Sequence, residues 1–303
     1  MRIILIGQAA FAEKVLSGLR DQQHDILALY CPPDVGDRPD PVKARALALG
    51  IPVRQHRTLK SAEVQHEFEE LAADLAVLAY VTQIVPPRVF ETPRLGSICF
   101  HPSLLPRYRG GSAINWQIIK GETETGVSVF WVDPGIDTGP LLVQKRAAIR
   151  PHDTAGSLYY DTLFPLGVQA VLEAVELIAA GNAPRVPQNE SQATYDPLCR
   201  DEHVAIDWSR PVVTIYNLIR GSDPQPGAYT LWRSAKLRLY DAALVSGGPF
   251  RPGVIEQISA DGWLIGARDS GVRVKRVRAG ERKLDAAVFA ADQGITAGTL
   301  LGT

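Results

Sequence analysis

Two short stretches concentrate the residues able to do chemistry. SICFHPSLLPRYRGGS (residues 97–112) puts His101 at the end of an apolar run and follows it with two prolines, two arginines and two glycines. GVSVFWVDPGIDTGPLL (residues 126–142) ends a second apolar run at Val132, then carries Asp133 and Asp137 in a turn punctuated by Gly135 and Gly139. An imidazole and a carboxylate brought together are the least apparatus needed for general acid–base chemistry near neutral pH. Taken alone, His101 fits two readings. It is either a hydrogen-bonded structural residue closing a strand or an imidazole presented by a loop that Pro102 and Pro106 stiffen and Gly110 and Gly111 allow to turn. Asp133, in Asp-Pro-Gly, reads as a common turn residue. Asp137 sits at the next strand end, where its carboxylate could accept a hydrogen bond from His101, fixing its tautomer and favouring the imidazolium. Strand alternation gives Cys99 and His101 the same face. A Cys99 thiolate beside His101 is therefore a candidate nucleophile, set against the plain reading of cysteine as a small buried apolar residue.

The elements around these stretches alternate. RIILIG predicts a buried strand, and FAEKVLSGL a helix with Phe11, Val15 and Leu19 on one face. DILALY predicts a second strand, and DPVKARALALG a helix capped by Asp40, opened by Pro41 and ended at Gly50. IPV, SAEVQHEFEELAA, DLAVLAY and LGSICFH continue the series. Strands separated by helices of this length predict a mostly parallel α/β sheet with helices on both faces. In such a sheet His101 lies at the carboxyl edge, where ligand crevices open. A helical pattern spans about Thr154 to Ala180 and stops at Gly181-Asn182. APRVPQNESQATYDP has no periodicity and reads as a linker. Beyond it, one helical patch and a series of short strands predict a small β-barrel. The expected organisation is a first domain over 1–185, a linker over 186–202 and a small β-rich, OB-like domain over 203–303.

The chain has 303 residues, 46% of them hydrophobic and 21% charged, with a net charge of −1. These values fit a globular enzyme and give no global field to draw in nucleic acid or an acidic membrane. Three scattered cysteines without a CxxC pair indicate a reducing compartment and no zinc site. The N-terminus lacks a signal-peptide pattern, and no stretch reads as a membrane span, so a cytoplasmic location is expected. GQAAFA after the first strand keeps only the first glycine of a dinucleotide-binding turn, which makes a dinucleotide-dependent oxidoreductase the weaker hypothesis. The basic run RVKRVRAGERK (273–283) reads as the solvated face of a strand.

HPSLLPRYRGGSAINW followed by GVSVFWVDPGIDTGPLL resembles the 10-formyltetrahydrofolate-dependent formyltransferase family (methionyl-tRNA formyltransferase-like). Its members share a histidine-SLLP loop and a later aspartate in a D-x-G turn. The likeness is closest to the N-terminal hydrolase domain of 10-formyltetrahydrofolate dehydrogenase, and it runs from MRIILIGQ through RPGVIEQI. It implies a formyltransferase-like fold with 10-formyltetrahydrofolate as formyl donor, His101 as the catalytic histidine and Asp137 as its essential partner. YVTQIVPPRVF is similar to the family's folate loop, which implies that Gln83, Ile84 and Val85 line the pterin pocket. From the residues alone, that stretch is an apolar strand end with one amide.

Two departures bear on the chemistry. Most formyltransferases carry an asparagine two residues before the histidine, able to donate to a developing oxyanion. Here Cys99 stands in that place, and a thiol is a poor substitute. The dehydrogenase-type hydrolase domain also lacks the asparagine. Members that formylate transfer RNA have a longer, basic loop after the second strand, whereas CPPDVGDRPDPVKARA is short and balanced. Nucleic acid is therefore not an expected partner. The acceptor stays open between an amine, a carrier thiol and water, with a methionyl-tRNA formyltransferase or a non-catalytic folate-binding module as alternatives.

Overall fold

The computed structural model describes residues 1–36 and 39–302, so Asp37 and Arg38 of the loop after the second strand lie outside the described residues. Strands β1 (Arg2–Gly7), β2 (Asp25–Cys31), β3 (Val53–Gln55), β4 (Leu75–Ala79), β5 (Ser97–His101), β6 (Glu124–Trp131) and β7 (Leu141–Ala148) form one sheet in the order β3-β2-β1-β4-β5-β6-β7. Pairing is parallel from β3 through β5 and turns antiparallel between β5 and β6. Helices α1 (Ala9–Asp21), α2 (Pro41–Ala48), α3 (Ala62–Leu71), α4 (Pro87–Phe90), α5 (Ala113–Ile119), α6 (Ala155–Ser157) and α7 (Phe164–Ala179) intervene or follow.

The apolar run of β1 explains its central place, since Ile3, Ile4, Leu5 and Ile6 are all buried and a central parallel strand has no solvent face. On one face of the sheet Ile4, Ile6, Ala28, Tyr30, Ala76 and Leu78 pack with Val64 and Phe68 of α3 and Val89 of α4. On the other, Phe11 of α1 stacks on Phe100 of β5 with ring centroids 4.3 Å apart and meets Phe164 of α7 edge-on. Alternation in SICFH thus sends Phe100 to the α1/α7 layer and Cys99 to the α3 layer.

The turn from β1 into α1 is closely packed at Gly7. A Cβ on Gly7 would stand 2.3 Å from the Ala79 carbonyl oxygen, so the glycine serves close packing. The Asp40 carboxylate accepts the Ala9 N–H at 2.9 Å and also the Val42 N–H as cap of α2. An internal carboxylate already holds the start of α1, where a dinucleotide-binding fold would hold a phosphate.

Continuous helix from Ala155 to Ala179, including a π-helical stretch over Leu158–Leu163, is long and apolar enough by length and composition to cross a membrane, contrary to the sequence expectation. Within α7, however, Gly167, Ala170, Val171, Ala174, Val175 and Ile178 are buried, as a core helix requires.

The described residues form two compact units. The first takes Met1–Gly111, Gly126–Ala147 and Asp161–Asp196, and so contains residues 186–196, which read as linker in the sequence. The second takes Ser112–Thr125, Ala148–Tyr160 and the chain from Pro197 onward. In this second unit, α8 (Val212–Gly221) and α9 (Ala286–Gln293) accompany strands β8 (Tyr229–Trp232), β9 (Ala235–Val245), β10 (Ile255–Ser259), β11 (Gly262–Gly266), β12 (Gly271–Arg278) and β13 (Leu284–Asp285). The sheet path is β10-β11-β12-β9-β8, antiparallel throughout, with β13 paired to β12. The tail joins its two ends: Leu301 N–H donates to Gly253 O beside β10, and Gly302 N–H donates to Leu231 O of β8. In β12, which opens the basic run, Val272, Val274 and Val277 enter the core while Lys275 and Arg276 face solvent. Asn115 of α5 donates to the carbonyls of Gly221 and Gln225, anchoring the end of the SAINW stretch in this unit.

Candidate active site

His101 ends β5 with its side chain buried, opposite Ser128 of β6. Its Nε2 lies 2.7 Å from the Tyr108 carbonyl oxygen. A carbonyl only accepts, so this nitrogen carries the proton. The other ring nitrogen, Nδ1, stands 3.5 Å from Asp137 Oδ2. The tautomer is therefore set by a backbone carbonyl in the histidine's own loop, and Asp137 faces the nitrogen left over. That distance suits an ion pair when the ring is doubly protonated.

Asp137 is held in turn. Its Oδ2 accepts the Gly110 N–H at 2.8 Å, and its own carbonyl accepts from Gln188 Nε2 at 2.9 Å. Both contacts to the histidine come from residues in left-handed backbone, Tyr108 at φ +61° and Asp137 at φ +57°. For residues other than glycine such geometry costs about 1–3 kcal/mol and persists only where the surroundings over-determine it. Gly110, at φ +105°, could not be replaced cheaply, because a Cβ there would lie 2.8 Å from the Asp196 carbonyl oxygen. Asp133, by contrast, accepts from Gly135 N–H and Thr138 Oγ1 and shapes its own turn.

Cys99 shares the face of His101 but packs against the apolar α3 layer. Burial pushes its thiol well above the ordinary range, and the Asp137 charge adds to the shift. A thiol so placed stays protonated at neutral pH, which argues against the nucleophile reading. Its position between the core and Asp137 fits a residue that shapes the site.

The three residues of the folate-loop segment separate. Gln83 lines a cleft with Gly7, Gln8, Tyr30, Cys31 and Tyr80. Ile84 is 66% exposed, and Val85 packs on the α3 layer. The cleft opens at the carboxyl ends of β1, β2 and β4, where strand order reverses and open α/β sheets take their ligands. Gln83 Nε2 donates weakly to His56 O at 3.5 Å, while its Oε1 is buried without a partner among the described residues. An orphaned buried acceptor at a strand-end cleft suits a ligand N–H.

Sequence reasoning missed a second layer. Arg109, 2% exposed, donates to Glu190 Oε1 and Oε2 at 2.6 and 2.9 Å and to Gln188 Oε1 at 2.8 Å. The Arg109 guanidinium holds the Glu190 carboxyl below the usual carboxylate range. The only available signal was the high density of polar residues in a stretch without periodicity, which is also the signature of a plain loop.

Residues 1–175 match the family described as formyl transferase, and residues 199–294 match its C-terminal domain. The human cytosolic 10-formyltetrahydrofolate dehydrogenase is 38% identical over 301 residues, which is 94% of this chain and 33% of that protein. The chain thus spans about a third of that relative's length. A methionyl-tRNA formyltransferase from Trichlorobacter lovleyi is also 38% identical, over 99% of this chain and 96% of its own. Among solved structures, HypX from Aquifex aeolicus in complex with tetrahydrofolic acid superposes with a TM-score of 0.71 at 21% identity, covering 96% of this chain and 47% of that one. With both family segments matched and this level of identity to a full-length member, the chain belongs to the formyl transferase family.

Proposed function

We propose that the chain takes the formyl group of 10-formyltetrahydrofolate and passes it to an acceptor or to water, releasing tetrahydrofolate. The observation that carries this reading is the pairing of His101 Nδ1 with Asp137 Oδ2 at 3.5 Å while Nε2 is tied to Tyr108 O. The folate supplies the formyl carbon. With Nε2–H committed to a carbonyl, Nδ1 is the nitrogen that exchanges a proton. It takes the proton of the attacking acceptor, and the imidazolium so formed lies against the Asp137 carboxylate. The same nitrogen then returns the proton to the departing folate nitrogen. The Gly110 N–H fixes the position of the Asp137 carboxylate that faces this imidazolium. Of the three folate-loop residues, Gln83 would meet the pterin ring in the cleft, with its Oε1 as an acceptor for a ring N–H.

Similarity to the dehydrogenase favours hydrolysis as the outcome in this chain. A second reading, formylation of methionyl-tRNA, is favoured by the near full-length match to the Trichlorobacter lovleyi enzyme. The test is to mix the protein with 10-formyltetrahydrofolate alone and follow tetrahydrofolate release. Release without an acceptor assigns water. Turnover only on adding charged methionyl-tRNA assigns the second reading, and turnover only with small amines or carrier thiols assigns those acceptors. Binding of tetrahydrofolate without turnover under any of these conditions would leave a non-catalytic folate module and defeat the proposal.

A further inference from the structure

We infer that residues 188–196 are a positioning strap for the catalytic pair and that Gln188 is its central residue. The inference rests on the reading of His101 and Asp137 given above. Gln188 spends its whole amide on joining the two loops that carry the site. Nε2 donates to the carbonyls of Asp137 and Gly139 at 2.9 and 2.7 Å, and Oε1 accepts from Arg109 Nε and Nη2 at 3.3 and 2.8 Å. One side chain therefore fixes the loop after β6 against the loop after β5.

The rest of the strap repeats the connection at the backbone. The peptide group between Tyr108 and Arg109 presents its carbonyl to His101 Nε2, and its N–H donates to Thr194 O at 3.0 Å. Tyr108 N–H donates to Thr194 Oγ1 at 2.7 Å, and Thr194 N–H donates to Pro106 O at 3.1 Å. On the aspartate side, Tyr195 Oη donates to Ile136 O at 2.5 Å. The strap thus grips the residue next to Asp137 and the peptide that orients His101. In these two loops Tyr108 and Asp137 also take left-handed backbone without being glycine. Strained loops need an external clamp to keep one geometry, and residues 188–196 contact both.

A pair that must meet within a fraction of an ångström is sensitive to its supports, and a misplacement of about 1 Å can cost on the order of 10²-fold in rate. In the full chain, Gln188→Ala is expected to lower kcat by about tenfold to 10²-fold while tetrahydrofolate affinity and the folded fraction hold. Thr194→Val should lower kcat in the same way, and Thr194→Ser, which keeps the Oγ1 acceptor, should restore it. The imidazole resonances of His101, followed by NMR in protein with isotope-labelled histidine, should shift in Gln188→Ala and stay in place in Thr194→Ser. Wild-type kcat with unmoved resonances in Gln188→Ala would overturn the strap, as would a loss of turnover matched by an equal loss of folded protein. Retained turnover in His101→Ala and Asp137→Ala would instead overturn the reading of the pair, and the strap with it.

Discussion

Two places on the carboxyl edge of one sheet are built on opposite plans. At the end of β5 the polar groups answer one another: His101 Nε2 has Tyr108 O, Asp137 Oδ2 has the Gly110 N–H, and Gln188 makes four hydrogen bonds. At the ends of β1, β2 and β4 the cleft is largely apolar and leaves Gln83 Oε1 unanswered. On the proposed function, the difference separates two tasks. Proton transfer needs groups whose directions are settled before a substrate arrives, whereas recognition needs a group that only the substrate can satisfy.

That contrast can be broken by substitution, beginning where the effect is greatest. His101→Ala should lower kcat by about 10²–10⁴-fold, the usual contribution of a positioned acid–base group, with little change in tetrahydrofolate affinity measured by fluorescence titration. Asp137→Asn keeps the shape but removes the charge facing Nδ1, and kcat should fall by at least about 10²-fold in the same assay. Wild-type turnover in either variant would dissolve the distinction. Gly110→Ala forces a Cβ into left-handed backbone against Asp196 O, so it should lower stability by about 1–3 kcal/mol in denaturant melts and lower kcat as well. At the other end of the edge, Gln83→Leu should raise the folate KM by about three- to tenfold while kcat stays near wild type, the mirror image of the histidine variant. A kcat defect there would show that the cleft also sets reaction geometry. The smallest effect belongs to Cys99→Ala, expected to change kcat by less than about threefold. Its thiol should resist alkylation at pH 8 in the native protein, because burial keeps it protonated well above that pH.

What could be read from sequence divides along similar lines. The α/β alternation was legible because buried parallel strands need continuous apolar runs, and RIILIG and LAVLA supply them. His101 and Asp137 were legible because chemistry-bearing side chains stood at strand ends among prolines and glycines. The supports were not. Gln188, Glu190, Thr194 and Tyr195 act through single hydrogen bonds to loops distant in sequence, and such contacts leave no period to detect. The same blindness made residues 186–196 look like a tether although they belong to the first compact unit. Nor could composition reveal that Ser112–Thr125 belongs with the second unit, since α5 is held there by Asn115 bonding to distant backbone carbonyls.

The tail of the second unit has a practical consequence. Residues 298–302 occupy the outward-facing backbone groups beside β10 and reach Leu231 on β8, the two margins of the antiparallel sheet. A truncation just after Ala297 would strip the partners from Gly253 O and from both backbone groups of Ile255, and from Leu231 O of β8, leaving amides and carbonyls ready to template a neighbouring chain. For anyone shortening or fusing this protein, those last residues are a guard against clumping, and a tag belongs beyond them rather than in their place.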